Sequence, residues 1–237
     1  MNTEPAFLGE RLALVRGRIE AAARRSGRTQ GSVTLIGVVK TQSLEAIAAA
    51  VELGLRDLGE NRVQEAELHQ QHVARTAARW HMIGHLQRNK MNKALPMFDL
   101  VHGVDDAELG EALALRARAA GRSLPVLVEV NVSGEDSKFG VTPGALPALL
   151  DRLAALDGIE PRGLMTVGAP VATPGMARAG FARLRALRED GERRLGRPLP
   201  ELSMGMSGDF EVAIEEGATL VRVGSALFGA RDAEAGR

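Results

Sequence analysis

The chain is predicted to fold as an α/β protein, a single (β/α)8 TIM-type barrel with an extra N-terminal helix. Three observations lead there. Short apolar runs alternate eight times with amphipathic stretches over 237 residues. No low-complexity linker or long structureless gap interrupts them, so one domain covering 1–237 is expected. Neither a Gly-x-Gly-x-x-Gly turn nor a P-loop follows any apolar run, which disfavours the competing open doubly wound sheet.

Leu8, Leu12, Val15 and Ile19 recur at helical spacing, giving an amphipathic helix that ends near Ser26-Gly27. The segment 1–30 is expected to pack on the barrel. The first strand is the run Val33 to Val39. Ser43 then caps a helix through Leu53, and Gly54 stops it. A weaker second strand, Leu55 to Leu58, precedes a helical stretch from Val63 to about Ala78. Trp80 to Ile83 is the third strand, with a helix starting near Leu86. Leu100 to Val104 is the fourth, and Asp105 or Asp106 caps the helix to Ala120.

Val126 to Val132, between Pro125 and Ser133-Gly134, is the fifth strand, followed by helix from Pro143 to about Leu156. Gly163 to Val167 is the sixth, followed by a long helix from Met176 to Leu195. Leu202 to Met206 is the seventh, followed by helix from about Asp209 to Glu216, and Leu220 to Val223 is the eighth. Buried apolar strands alternating with helices imply a parallel sheet.

Composition narrows the function. Thirty basic residues balance thirty acidic ones, so nothing marks a protein built around polyanions or anionic lipid. Without cysteine, disulfides, thiol catalysis and cysteine–zinc sites are excluded. No apolar run is long enough for a bilayer, and charged residues break up the first thirty positions, unlike a signal peptide. A cytoplasmic monomer is expected, without nucleic-acid or membrane partners.

Reactive residues of such barrels lie at the C-terminal ends of strands, and phosphate commonly binds after strands seven and eight. Ser207-Gly208 opens a helix, where free N–H groups face an anion, and Gly224-Ser225 adds a second small-residue turn. Together they form a candidate phosphate cup; the plainer reading is an N-cap and a turn. Lys40 ends the first strand. It either snorkels to the surface or, partly desolvated, supplies a nucleophilic amine for Schiff-base chemistry. Barrel closure sets strand one beside strand eight, so lysine and cup together suit an aldehyde-bearing phosphate ester. Pyridoxal 5′-phosphate is such a compound. Arg222 on strand eight would then face the ring nitrogen and disfavour its protonation; otherwise it is an inward residue paired with a carboxylate.

The blocks GVVKT at Gly37 to Thr41, GENRVQE at Gly59 to Glu65 and WHMIGHLQRNK at Trp80 to Lys90 carry a family resemblance. So do VNVSGEDSKFG at Val130 to Gly140, GLMTVGAP at Gly163 to Pro170, and the long block Leu202 to Arg231. The chain resembles the pyridoxal phosphate homeostasis protein family, related to the barrel domain of alanine racemase. The resemblance implies that Lys40 carries the internal aldimine and that Ser207, Gly224 and Ser225 hold the phosphate. It implies that Arg222 faces the pyridine nitrogen, that Asn61 lies near the ring, and that Met165 and Met204 line the pocket. Val39 stands where the family usually has serine. The resemblance further implies a role in vitamin B6 and amino-acid pools, with apo-enzymes as candidate recipients of the cofactor.

Two alternatives remain. An amino-acid racemase of this fold would use the lysine and a tyrosine from a second domain, but the sequence has no tyrosine and no room for that domain after Arg231. A cofactor-independent Schiff-base aldolase is the other. His81 and His85 have metal-pair spacing but fall on a strand and its exit, where they sit far apart. Arg88, Lys90 and Lys93 read as a solvated helix face. The 133–138 loop is either a lid or a charged surface loop.

Overall fold

A computed structural model describes residues 5–135, 139–168 and 174–229. Asp136, Ser137 and Lys138 of the possible lid, Ala169 and Pro170, and Arg231 lie outside the described residues.

Helix α1 is Pro5–Arg25. The eight strands are β1 Thr34–Val38, β2 Asp57–Glu60, β3 Arg79–Met82 and β4 Leu100–Val104, then β5 Leu124–Glu129, β6 Ile159–Met165, β7 Glu201–Ser203 and β8 Leu220–Val223. Each pairs in parallel with the next, and β8 returns to β1, with Ile36 opposite Arg222, to close the barrel. Between them run α2 Leu44–Glu52, α3 Val63–Gln70, a 3₁₀ turn Arg88–Lys90 leading into α4 Met91–Ala94, and α5 Ala107–Ala119. Next come α6 Leu146–Ala154, α7 Pro174–Leu195 and α8 Phe210–Glu215, with the short α9 Ser225–Phe228 after β8.

The capping chemistry explains several boundaries. Ser43 Oγ accepts the Ala46 N–H at 3.2 Å, and Asp106 Oδ1 accepts the Leu109 N–H at 2.6 Å. Asp106, not Asp105, is therefore the cap of α5. The second strand begins later than its apolar run suggests. Leu55 N–H still closes the end of α2 on Ala50 O at 2.9 Å, and sheet pairing starts at Asp57. The fifth strand ends at Glu129 rather than Val132, because Asn131 N–H and Val141 N–H turn to a local bridge across Val130 and Val141. The sixth starts earlier than expected: Pro161 is admitted beside a register shift, where a missing N–H is tolerated. The helix expected through Ala78 stops at Gln70, where Val73 N–H turns back to His69 O at 2.9 Å.

Successive strand residues face opposite sides. Leu58, Trp80, Val101, Val126, Val128, Leu164, Leu202 and Val221 face outward into one large core shared with the helices. The barrel interior holds a separate small cluster of Ile36, Leu100, Leu127, Met165 and Leu220. Helix α1 packs against α2, α8 and α9. Arg18 joins Glu211 at 2.7 Å and lies 4.7 Å above the Phe210 ring, and Arg25 joins Glu215 at 2.9 Å. These contacts brace the helix that follows Ser207.

Candidate functional site

Lys40 follows β1 on the face that Ile36 and Val38 share, and it is half-buried. The next residue, Thr41, has φ 63°; among the described residues it is the one non-glycine in the left-handed region. A β-branched residue is held there at a cost of about 1–3 kcal/mol. The strain sits on the turn directly after the lysine.

On the neighbouring strand Arg222 is 4% exposed. Its Nη1 donates to Ser203 Oγ at 2.6 Å and its Nη2 to the Thr166 carbonyl at 2.8 Å. Burial lowers its pKa to about 10, with Glu129 and Asp209 pulling the other way. It remains a cation at neutral pH. Glu129 ends β5 at the same mouth; burial, then the nearby Asp105, pushes its carboxyl up to about 7, against the pull of Arg222. Contrary to the simpler sequence alternative for Arg222, its hydrogen bonds go to a hydroxyl and a carbonyl.

Just beyond β8 the cup takes shape. Ser207 Oγ accepts the N–H groups of Gly224 at 3.3 Å and Ala226 at 3.2 Å, which draws the β7 and β8 exits together around Ser225. Gly205, at φ 90°, makes the preceding turn; a Cβ there would come within 2.5 Å of the Ala213 Cβ. Asp209 Oδ1 accepts the Met206 N–H at 2.6 Å and tightens the same loop. Such small-residue turns with converging amides suit an anionic oxygen cluster.

Asn61 follows β2 and is half-buried. A Cβ on Gly84 would lie 2.5 Å from its carbonyl oxygen, so glycine lets the β2 and β3 exits touch. A cavity of about 710 Å³ opens here, lined by Asn61, Arg62, Met82, His85, Lys90 and Phe139 among others. Of the cofactor-binding residues expected from the sequence, its lining includes Asn61. His85 stacks on Phe139, with ring centroids 4.5 Å apart. His81 instead points into the barrel, so the two histidines have separate surroundings. Met165 belongs to the barrel interior, whereas Met204, also fully buried, packs in the outer core with the helices. Lys93 pairs with Glu67 at 3.0 Å and Arg88 with Glu108 at 2.5 Å, both at the surface.

Sequence reasoning gave no cofactor-site role to several inward polar residues. Ser203 Oγ lies 2.9 Å from His102 Nδ1, His102 Nε2 lies 3.0 Å from His81 Nδ1, and His81 Nε2 lies 3.0 Å from Asp57 Oδ1. Burial drives the His102 pKa well below the ordinary imidazole value, so this ring is neutral. A faint signal was legible: His81, His102, Glu129 and Ser203 are polar residues standing inside or at the end of otherwise apolar strands.

Among the described residues, no helix is long and apolar enough to cross a membrane, and no group of three or more His, Cys, Asp or Glu side chains could hold a metal ion. Residues 12–232 match the family described as alanine racemase, N-terminal domain. A pyridoxal phosphate homeostasis protein of Pseudomonas aeruginosa is 44% identical over 95% of this chain and 96% of its own length. A protein of unknown role from Bifidobacterium adolescentis superposes with a TM-score of 0.87 at 40% identity, covering 96% of both chains. PipY of Synechococcus elongatus, solved with PLP bound, superposes with a TM-score of 0.83 at 37% identity, covering 94% of this chain and all of that one. The chain belongs to the pyridoxal phosphate homeostasis protein family, whose barrel is that of the alanine racemase N-terminal domain.

Proposed function

We propose that this chain binds pyridoxal 5′-phosphate and serves the homeostasis of vitamin B6 and of the amino-acid pools that depend on it. Lys40 Nζ is joined to the cofactor aldehyde as a Schiff base, and apo-enzymes are the recipients. One observation carries the reading: a half-buried lysine follows β1, a buried, donor-only Arg222 lies on the neighbouring β8, and the small-residue turns after β7 and β8 converge through Ser207. The donor set fits this compound group by group. An amine suits the aldehyde, the Gly224–Ser225 turn with Ser207 suits the phosphate, and a permanent cation suits an unprotonated ring nitrogen. The relative solved with PLP bound, at 37% identity, supports binding of this compound.

When bound, the cofactor supplies an electron-withdrawing ring, which works best as an electron sink when its nitrogen is protonated. Arg222 has no proton acceptor to offer and does not give up its own proton at neutral pH, so it holds that nitrogen in the poorer sink form. Asn61 lies at the ring side of the mouth. The sequence contains no tyrosine to act as an opposing base, and His85 is exposed and stacked on Phe139. These features favour retention and delivery over racemisation.

The test is intact-protein mass after borohydride reduction in the presence of pyridoxal phosphate, followed by peptide mapping. A single adduct on the peptide containing Lys40 is expected. No adduct, or one spread over Lys90 and Lys93, would reject the assignment. Incubation with single-enantiomer alanine checks the second half; sustained multiple-turnover racemisation would replace retention with catalysis.

A further inference from the structure

The barrel interior contains a polar path that apolar packing does not need. Asp57 opens β2, His81 lies on β3, His102 on β4, Ser203 ends β7 and Arg222 lies on β8. His81, His102 and Ser203 are all fully buried. Strands β4 and β7 are not neighbours in the barrel, so the 2.9 Å His102–Ser203 bond spans its interior. At one end Arg222 lies two residues before Gly224 at the mouth. At the other, Asp57 lines a cavity of about 420 Å³ with Arg16, Glu20, Thr34 and Arg56, near the strands' N-terminal ends.

For two neutral rings beside an ionised carboxylate, donor and acceptor capacity leaves one assignment of the protons on this path. A guanidinium only donates, so Ser203 Oγ accepts from Arg222 Nη1. The Ser203 hydroxyl proton then goes to His102 Nδ1. His102 is thereby left with its proton on Nε2, which donates to His81 Nδ1. His81 in turn carries its proton on Nε2 and donates to the Asp57 carboxylate. Every bond in this assignment points the same way, from a cation at the mouth to an anion at the far end. Aligned bonds of this kind polarise one another in a low-dielectric interior. Beside them lies the apolar cluster of Ile36, Leu100, Leu127, Met165 and Leu220, which shows that hydrophobic side chains fill this barrel well. Buried polar networks are often no more stable than such a filling, so this one points to a role beyond packing.

We propose that Asp57, His81, His102 and Ser203 are positioning residues that fix Arg222 against the cofactor and couple it to the cavity at the opposite end of the barrel. The cofactor half of this statement rests on the function proposed above; the hydrogen-bond path does not. Arg222 is held from two sides, by Ser203 and by the Thr166 carbonyl, so loss of Ser203 Oγ frees one of its amino groups to turn away from the mouth.

The experiment has two arms. In the full-length, cofactor-free protein, nitrogen–proton correlation spectra should show His81 and His102 as neutral rings protonated on Nε2. Asp57→Asn should move the His102 signals although the two side chains do not touch; Ser203→Ala should release the His102 tautomer. In the second arm, pyridoxal phosphate is titrated and its absorption band recorded. Ser203→Ala should weaken binding roughly tenfold, about 1.4 kcal/mol, and shift the band, with Ser203→Thr restoring both. Asp57→Asn should give a smaller change of the same sign. Either ring protonated on Nδ1, or His102 signals unmoved in folded Asp57→Asn, overturns the path. An unchanged band and affinity in Ser203→Ala overturns its hold on Arg222. If Ser203→Ala does not fold, the same two readouts on Asp57→Asn decide, since Asp57 lies at the rim. A wild-type protein that binds no pyridoxal phosphate rejects the cofactor assignment while the first arm still judges the path.

Discussion

The two faces of the same eight strands differ in kind. Outward residues merge with the helices into one apolar core that includes Trp80, Phe98, Phe181 and Phe210. Inward residues form a small apolar cluster of five, and beside it the interior holds the buried polar His81, His102, Glu129, Ser203 and Arg222. The outer face stabilises the barrel through area removed from water, which is indifferent to direction. The inner face is built from directional bonds, each leaving a costly orphan if its partner is lost. Stability and ligand chemistry are thus divided between the two sides of single strands, and substitutions on each side should produce separable effects.

The sharpest separation is expected from Lys40→Ala. It should abolish the visible absorption acquired with pyridoxal phosphate while the cofactor-free protein still folds cooperatively, because the half-buried side chain leaves no sealed cavity. An absorbing variant would break the comparison at once. The converse substitution lies on the outer face. Leu153 of α6 is fully buried and its Cδ2 fills the space that Gly110 leaves open on α5. Leu153→Ala should destabilise the protein by about 2–5 kcal/mol, measured by urea unfolding, with cofactor affinity of the folded fraction unaltered.

A pH comparison sharpens the contrast further. Glu129 has its carboxyl pushed up to about 7 in the folded state, so its contribution to stability is complete below about 4.5 and is lost as pH rises through 7. His102 acts in the opposite sense: its lowered pKa costs stability as pH falls below about 6.5. Glu129→Gln removes the first effect and retains the second. Urea unfolding of the cofactor-free protein at pH 5 and pH 8 should therefore show the variant gaining on wild type with rising pH, by at most about 3 kcal/mol. Parallel curves for the two proteins would show that Glu129 is ionised throughout.

The outer face was the legible one. Runs such as Leu100 to Val104 and Leu220 to Val223 fix their own strands, and Ser43 and the Asp105-Asp106 pair announce helix starts through local chemistry. Boundaries were missed where tertiary contacts override local pattern: Leu55 serves the end of α2, and Pro161 enters β6 beside a register shift. At the site, Lys40, Arg222, Ser207 and Gly224 could be read because strand ends and closure order set them on adjacent strands. His102 and Ser203 could not, since they are 101 positions apart and only the stagger of a closed barrel brings β4 and β7 across from one another. The family resemblance, not the strand pattern, implies Met204 at the pocket. One residue of register separates it from inward-facing Ser203, and it packs with the helices.

The smallest expected effect concerns the boundary between the two faces. Thr41 holds φ 63° immediately after Lys40, a conformation that glycine adopts without its steric penalty. Thr41→Gly relieves strain in the folded state but also loosens the unfolded chain, and the two terms oppose each other. Relief should win by up to about 1 kcal/mol, because a β-branched residue is especially unfavourable in this region. If the strain serves only the fold, the variant should gain stability and retain the cofactor as tightly as wild type. If the strained turn aims Lys40, the gain in urea unfolding should be accompanied by faster loss of cofactor on dilution, measured by decay of the visible band. That opposite movement of stability and retention is the expected result, because the turn lies where the apolar run of β1 ends and the chemistry of the mouth begins.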